Sequence, residues 1–270
     1  MILNKIKHRI FIPTAVVFLL FSCTKDEKQT VVTKNNLVMS DEFNINGALN
    51  TNLWSYNIGT GTDGWGNKEL QYYTSRPENI KVENGVLKIT ARREQYMGEA
   101  FTSARIFTKG NFETKYGRIE ARIKLPRGKG LWPAFWMLGS NSDTAIWPQC
   151  GEIDIMEYLG NSPTKVFGTV HGPGYFAGNA ITKSYMLPNS RFDTDFHIFG
   201  VEWDENYINF YVDDVLYNQI TPSNVTGEWV FNKPFYIILN MAVGGNYPGS
   251  PNSATPFPQE MLVDYVRVYQ

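Results

Sequence analysis

Cysteine, histidine and net charge are all scarce in this chain of 270 residues. Its two cysteines are Cys23 and Cys150, and Cys23 closes an N-terminal apolar segment treated below. A thiol spent there leaves Cys150 alone, which excludes an internal disulfide and a zinc site. Cys150 lies beside a dense acidic motif and reads as an inert small residue, not a nucleophile. The formal charge of −1 includes no basic face or arginine cluster, so a nucleic-acid partner is excluded. No window carries a convincing amphipathic helix, and there is no internal repeat, low-complexity tract or second linker.

What is present begins with a removable leader. Lys5, Lys7, His8 and Arg9 form a positive head, and Ile10 to Phe21 is apolar but too short to span a bilayer comfortably. The end of this stretch, Leu20-Phe21-Ser22-Cys23, resembles a bacterial lipobox. The alternative is an ordinary secretory signal that contains a cysteine. Cleavage before Cys23 would leave an acylated N-terminus on a short polar tether, residues 23–35. The expectation is export across the inner membrane and a lipid anchor at the outer membrane or cell surface. Loss of three basic residues with residues 1–22 takes the formal charge from −1 to −4.

The rest, residues 36–270, suits one large all-β domain. Asn79 to Thr90 reads as a hairpin turning at Asn84-Gly85, where positive φ is cheap. Tyr116 to Leu125 alternates apolar and charged residues, the pattern of a half-exposed strand. Phe196 to Ile220 holds three short strands, the last two joined at Asp213-Asp214. Phe235 to Val243 and Met261 to Tyr269 supply two more. Many strands with Gly, Asn and Pro turns imply two antiparallel sheets face to face, a β-sandwich or jelly roll. Aromatic residues make up 14% of the chain, more than a core needs, and suit a concave outer face that holds a chain-like ligand.

The motif that decides the chemistry is Gly151-Glu152-Ile153-Asp154-Ile155-Met156-Glu157-Tyr158. Glu152 and Asp154 keep the period of two that puts side chains on one face of a strand, and Glu157 breaks it. In a regular strand Glu157 would be buried with Ile153 and Ile155, at a cost of several kcal/mol. A one-residue bulge at Ile155-Met156 returns Glu157 to the face of the other two acids. Four regular steps of ~3.3 Å separate the glutamate Cα atoms by ~13 Å. Side chains reaching toward each other then leave the carboxyls on the order of 5–6 Å apart, the spacing of a retaining glycosidase. A solvated face or a Ca²⁺ site is the competing account of three acids, and their apolar, aromatic surroundings count against it.

With these residues in place the chain resembles glycoside hydrolase family 16, in its laminarinase-like branch. The resemblance rests on E-x-D-x-x-E at Glu152, Asp154 and Glu157, preceded by Trp147-Pro-Gln-Cys-Gly151. It extends to Asp41-Glu42-Phe43, Gly64-Trp-Gly-Asn-Lys-Glu-Leu-Gln-Tyr-Tyr73, Ser103-Ala-Arg105, Leu131-Trp132-Pro-Ala-Phe-Trp136, Val170-His171-Gly and Val263 to Tyr269. It implies a concanavalin-like jelly roll with an open cleft, in which Glu152 is nucleophile, Asp154 its helper and Glu157 the acid/base. The same resemblance implies substrate contacts at Asn57, Arg105, Trp132, Trp136 and His171. It also implies a structural Ca²⁺ held by Glu42, the Gly85 carbonyl and Asp264, remote from the acids and outside the chemistry. Hard oxygen donors suit that ion.

The expected partner is a β-1,3-glucan polysaccharide, cleaved internally by a monomeric enzyme that meets the membrane only through its lipid. Mixed-linkage glucans and galactans are the alternatives within the family. A non-catalytic glycan-binding sandwich is the alternative outside enzymology, and an acid pair at retaining distance has no use there.

Overall fold

The computed structural model describes residues 32–270. The leader, Cys23 and most of the tether therefore lie outside the described residues. Alternating patterns and turn residues produce strands almost throughout. In chain order they are β1 (Leu37–Asp41), β2 (Ser55–Asn57), β3 (Gln71–Tyr73), β4 (Ile80–Glu83), β5 (Val86–Tyr96), β6 (Glu99–Ser103), β7 (Arg105–Phe107), β8 (Gly117–Lys124) and β9 (Leu131–Gly139). They continue as β10 (Glu152–Tyr158), β11 (Lys165–His171), β12 (Ile181–Met186), β13 (His197–Trp203), β14 (Ile208–Val212), β15 (Val215–Ile220), β16 (Phe235–Val243) and β17 (Gln259–Tyr269). Three helical turns of 3 to 5 residues are the only helical pieces among the described residues, and none is long enough to cross a membrane.

The strands form two sheets. One has ten strands along the path β15-β14-β13-β8-β17-β5-β6-β3, with β1 on β17 and β4 on β5; the other has seven, in the order β12-β11-β10-β9-β16-β7-β2. Side chains from both fill one continuous core, including Leu87, Ile119, Val201 and Val266 from the first sheet and Phe135, Ile153 and Leu239 from the second. This is the expected sandwich. The expected hairpins are there too, with Asn84 and Gly85 at φ 58° and 76°, and Asp213 and Asp214 at 49° and 62°. Strand β8 departs from its half-exposed pattern at Glu120, which is 1% exposed. Its carboxylate is bound by Arg118 from the same face, and Tyr211 donates to it at 3.2 Å, so the charge is buried as a pair.

The docked chain starts slightly earlier than the tether boundary. Glu202, itself 1% exposed, accepts the backbone N–H groups of Thr33 and Lys34 at 2.7 and 3.1 Å.

Strand register gathers Glu42, Gly85 and Asp264 at one point. Strand β17 pairs with β5 as far as Val263↔Leu87 and with β1 from Val266↔Asp41 onward. Asp264 sits in the bulge between those stretches, Glu42 follows β1, and Gly85 turns into β5. Both carboxylates already carry arginines. Arg267 holds Glu42 through Nε at 2.9 Å and Nη2 at 2.7 Å, and Arg122 donates to Asp264 Oδ2 at 2.7 Å. The Glu42 carboxylate is therefore committed, and a cation here would draw on Asp264 Oδ1 and main-chain carbonyls. Those are oxygen donors of the kind calcium takes.

Candidate active site

Strand β10, an interior strand of the seven-stranded sheet, carries the three acids. Against β9 the register runs Asp154↔Trp136 and then Met156↔Phe135, so Ile155 is the extra residue; against β11 it jumps from Asp154↔Thr169 to Glu157↔Phe167. The bulge lies where the sequence requires it. Ile153, Ile155 and Met156 are all buried in the core at 2% exposure or less, and Glu157 turns out with the other acids.

Each glutamate is held by an indole. Trp147 Nε1 donates to Glu152 Oε2 at 2.9 Å, and Trp132 Nε1 donates to Glu157 Oε1 at 3.0 Å. Behind each indole stands a second aromatic ring, edge-on. Trp147 meets Phe176 at 5.4 Å, and Trp132 meets Tyr247 at 5.2 Å. Thr169 Oγ1 adds a longer bond to Glu157 at 3.4 Å. His171, on β11, is the register partner of Glu152, its Nε2 3.1 Å from Asp154 Oδ2 and 3.7 Å from a Glu152 oxygen.

Glu152, Asp154 and His171 are the one three-residue cluster of metal-ligand type among the described residues. Its donor chemistry argues for a proton and against a metal. The Ala177 backbone N–H donates to His171 Nδ1 at 3.2 Å, which makes Nδ1 the acceptor. In the neutral ring with this tautomer Nε2 carries the hydrogen, so its lone pair is not available to an ion.

Burial raises all three carboxyls above their ordinary range. Glu152 is pushed up to about 8 by burial and then by the Asp154 charge, with the Trp147 N–H opposing. Glu157 is pushed up to about 7 by burial and the Glu152 charge, against the pull of His171 and Trp132. Asp154 is raised by burial and by Glu157. Such a set shares its protons, and its titration steps belong to the cluster. The resemblance implies Glu152 as the nucleophile and Glu157 as the acid/base, and product stereochemistry tests that assignment.

The same shifts predict how stability depends on pH. A carboxyl that binds its proton more tightly when folded costs nothing below its ordinary value of 4.5. Its cost grows as pH rises toward the folded value near 8 and is complete above it. Glu152→Gln removes that cost. The variant is expected to match the parent near pH 4 and to exceed it at pH 8 by up to about 4 kcal/mol, a Tm gain of up to about 10 °C. Scanning calorimetry at the two pH values reads this, and an equal or lower Tm at pH 8 contradicts it.

The structure brings the remaining sequence candidates into line across the sheet. Register partners run Asn57↔Arg105↔Asn240↔Ala134↔Glu157↔Phe167, from β2 through β7, β16, β9 and β10 to β11. Trp132 and Trp136 stand on either side of Ala134 on the outward face of β9. Trp136 Nε1 donates to Asn240 Oδ1 at 2.7 Å. Sequence reasoning missed Trp147, Phe176 and Tyr247 as neighbours of the acids. Trp147 had one usable signal, a place five residues before Glu152. Tyr247 had none, because it arrives from the loop after β16. Cys150 is fully buried with its thiol pushed up to about 11, chiefly by burial, as an inert residue requires.

The model for glycosyl hydrolases family 16 matches residues 67–267. A beta-glucanase of Rhodothermus marinus is 44% identical over 87% of this chain and 85% of its own length. A glucan endo-1,3-beta-glucosidase A1 of Niallia circulans is 39% identical over 87% of this chain; the match spans 38% of that longer relative. Among solved structures, the catalytic domain of an endo-1,3-beta-glucanase (laminarinase) from Thermotoga petrophila superposes with a TM-score of 0.85 at 50% identity. That superposition covers 88% of this chain and 99% of the other.

Proposed function

The chain belongs to glycosyl hydrolase family 16, and from that premise we propose that it is an endo-acting, retaining hydrolase of β-1,3-glucans. The observation that carries the reading is the bulged β10, which presents Glu152, Asp154 and Glu157 together, each glutamate fixed by an indole N–H. The aromatic and polar row across the sheet supports an extended sugar chain lying over the strands.

In this reading Glu152 attacks the anomeric carbon while Glu157 gives its proton to the departing glycosidic oxygen. A covalent glycosyl-enzyme forms, and Glu157, now a carboxylate, takes a proton from the water that displaces Glu152. The attacking carboxylate must be ionised in the productive complex. The Trp147 N–H donates to Glu152 and favours that anion, while Asp154 raises its proton affinity. Reducing-sugar release from laminarin, lichenan and agarose tests the substrate class: activity should be highest on laminarin and absent on agarose. No release from any of the three would favour a glycan-binding sandwich.

We further propose a structural calcium at the β1–β5–β17 junction, bound by Asp264 with main-chain carbonyls that include that of Gly85. A cation bound only by the folded state raises stability by mass action. Chelator should lower Tm by several degrees and leave the initial rate at low temperature unchanged. Immediate loss of activity in a folded protein would place the ion in the cleft instead. The lipid anchor at Cys23 rests on the leader sequence, and labelling with a radioactive fatty acid, lost in Cys23→Ser, tests it.

A further inference from the structure

The segment Gly61-Thr-Asp-Gly-Trp-Gly-Asn-Lys68 has a backbone that a chain does not adopt without cause. Six of its residues, Gly61, Asp63, Gly64, Trp65, Gly66 and Lys68, have φ between 55° and 83°. Glycine and aspartate tolerate this region; a tryptophan at φ 56° is an outlier. The turn is closed by unusually wide bonds, Trp65 N–H to Thr60 at 3.1 Å and Glu69 N–H to Gly64 at 3.2 Å, each five residues back. Its glycines are required by what packs on them. A Cβ at Gly61 would lie 2.6 Å from the Trp65 ring, and one at Gly64 would lie 2.5 Å from the Glu69 nitrogen.

The product of this strain is the position of the Trp65 indole. Its ring stands 4.7 Å from Arg105 Cζ, and the Trp136 ring stands 4.9 Å from the same atom, so both rings face the guanidinium. Arg105 forms no ion pair and no side-chain hydrogen bond among the described residues. Its charge is balanced by ring faces and by the nearby Glu69, which leaves its outer N–H groups unspent. Glu69 is anchored in turn: Gln71 Nε2 donates to it at 2.7 Å, and the Tyr73 hydroxyl at 3.3 Å. Asn240, which receives the Trp136 N–H, donates to that same hydroxyl at 3.1 Å. Trp136 is thereby hydrogen-bonded into one buried network, and Trp65 packs on the Tyr73 ring of that network at 5.6 Å.

We propose that Trp65 is a positioning residue for glucan binding, which acts through Arg105. With Trp136 it fixes the plane of the guanidinium, so that the fork of N–H donors meets hydroxyl oxygens of the sugar chain without first losing rotamer freedom. The proposal rests on the reading of Arg105 as a substrate contact. It gives the strained turn a function that core packing does not, since Trp65 is only half-buried and its N–H has no partner.

A double-mutant cycle on the full domain tests it, with laminarin as substrate. Trp65→Leu is expected to raise KM about 10-fold with kcat within about threefold of the parent. Arg105→Ala should raise KM at least as much. The double variant should be no worse than Arg105→Ala alone, because the ring acts only through the guanidinium. Trp65→Phe, which keeps a ring face and drops the unpartnered N–H, should stay within about twofold of the parent. If Trp65→Leu does not fold, Trp65→Met keeps the bulk and serves in the same cycle. Multiplying effects in the double variant, or an unchanged KM in a folded Trp65→Leu, would overturn the proposal. An unchanged KM in Arg105→Ala would instead remove the reading beneath it.

Discussion

Glu152→Ala is expected to lose at least ~10³-fold in kcat on laminarin, and azide is expected to restore turnover with inversion at the anomeric carbon. Removal of the carboxylate leaves no nucleophile for the first displacement and opens space below the sugar. A small anion there attacks once and yields an α-glycosyl azide. Glu157→Ala should fail differently. It keeps its nucleophile and loses the proton for the leaving oxygen, so laminarin suffers severely while aryl β-glucosides with good leaving groups keep a fast first step. The covalent intermediate then waits for a base, and azide, which needs none, gives a β-glycosyl azide of retained configuration. Proton NMR of the azide products reads the anomeric coupling directly. Retained product from Glu152→Ala with inverted product from Glu157→Ala would exchange the two roles. Inversion by the unmutated enzyme would end the double-displacement reading altogether.

Deletion of Met156 is expected to abolish activity and to cost the domain several kcal/mol. The bulge opposes Ile155 and Met156 to a single step of the neighbouring strands, and both side chains are buried. Without the extra residue the strand downstream must shift by one against β9 and β11, and a shift of one exchanges its faces. If Glu157 stays in the cleft, Tyr158 and the chain beyond it must be drawn one position back, out of register with Val166. If they hold, Glu157 is withdrawn from Trp132 and Thr169. Either way the Glu157 carboxyl loses its position. A deletion variant with parental Tm and laminarin activity would show that the bulge does not set the cleft. Met156→Leu, close in volume, should cost less than about 1.5 kcal/mol and retain activity.

The sequence by itself determined the local matters. Alternation located β8, because side chains on opposite faces of a strand meet different surroundings, and strand-forming runs located β13, β16 and β17. Asn84-Gly85 and Asp213-Asp214 located turns, because few residues take positive φ cheaply. The bulge in β10 was also legible, since an acid out of phase in an apolar strand is intolerable unless the phase is reset. Burial of Glu120 was not legible, because the tyrosine that helps compensate it, Tyr211, comes from β14 across β13, even though Arg118 stands two residues away on the same strand. Only the tertiary structure decided what surrounds the acids. Trp147, Tyr247 and His171 reach them from three separate loops and strands, and the row from Asn57 to Phe167 exists only when six strands are in register. Spacing along one strand fixes which side chains share a face. Which partners bind them, and therefore where protons reside, depends on contacts between residues far apart in the chain, and those contacts form only when the two sheets close on one core.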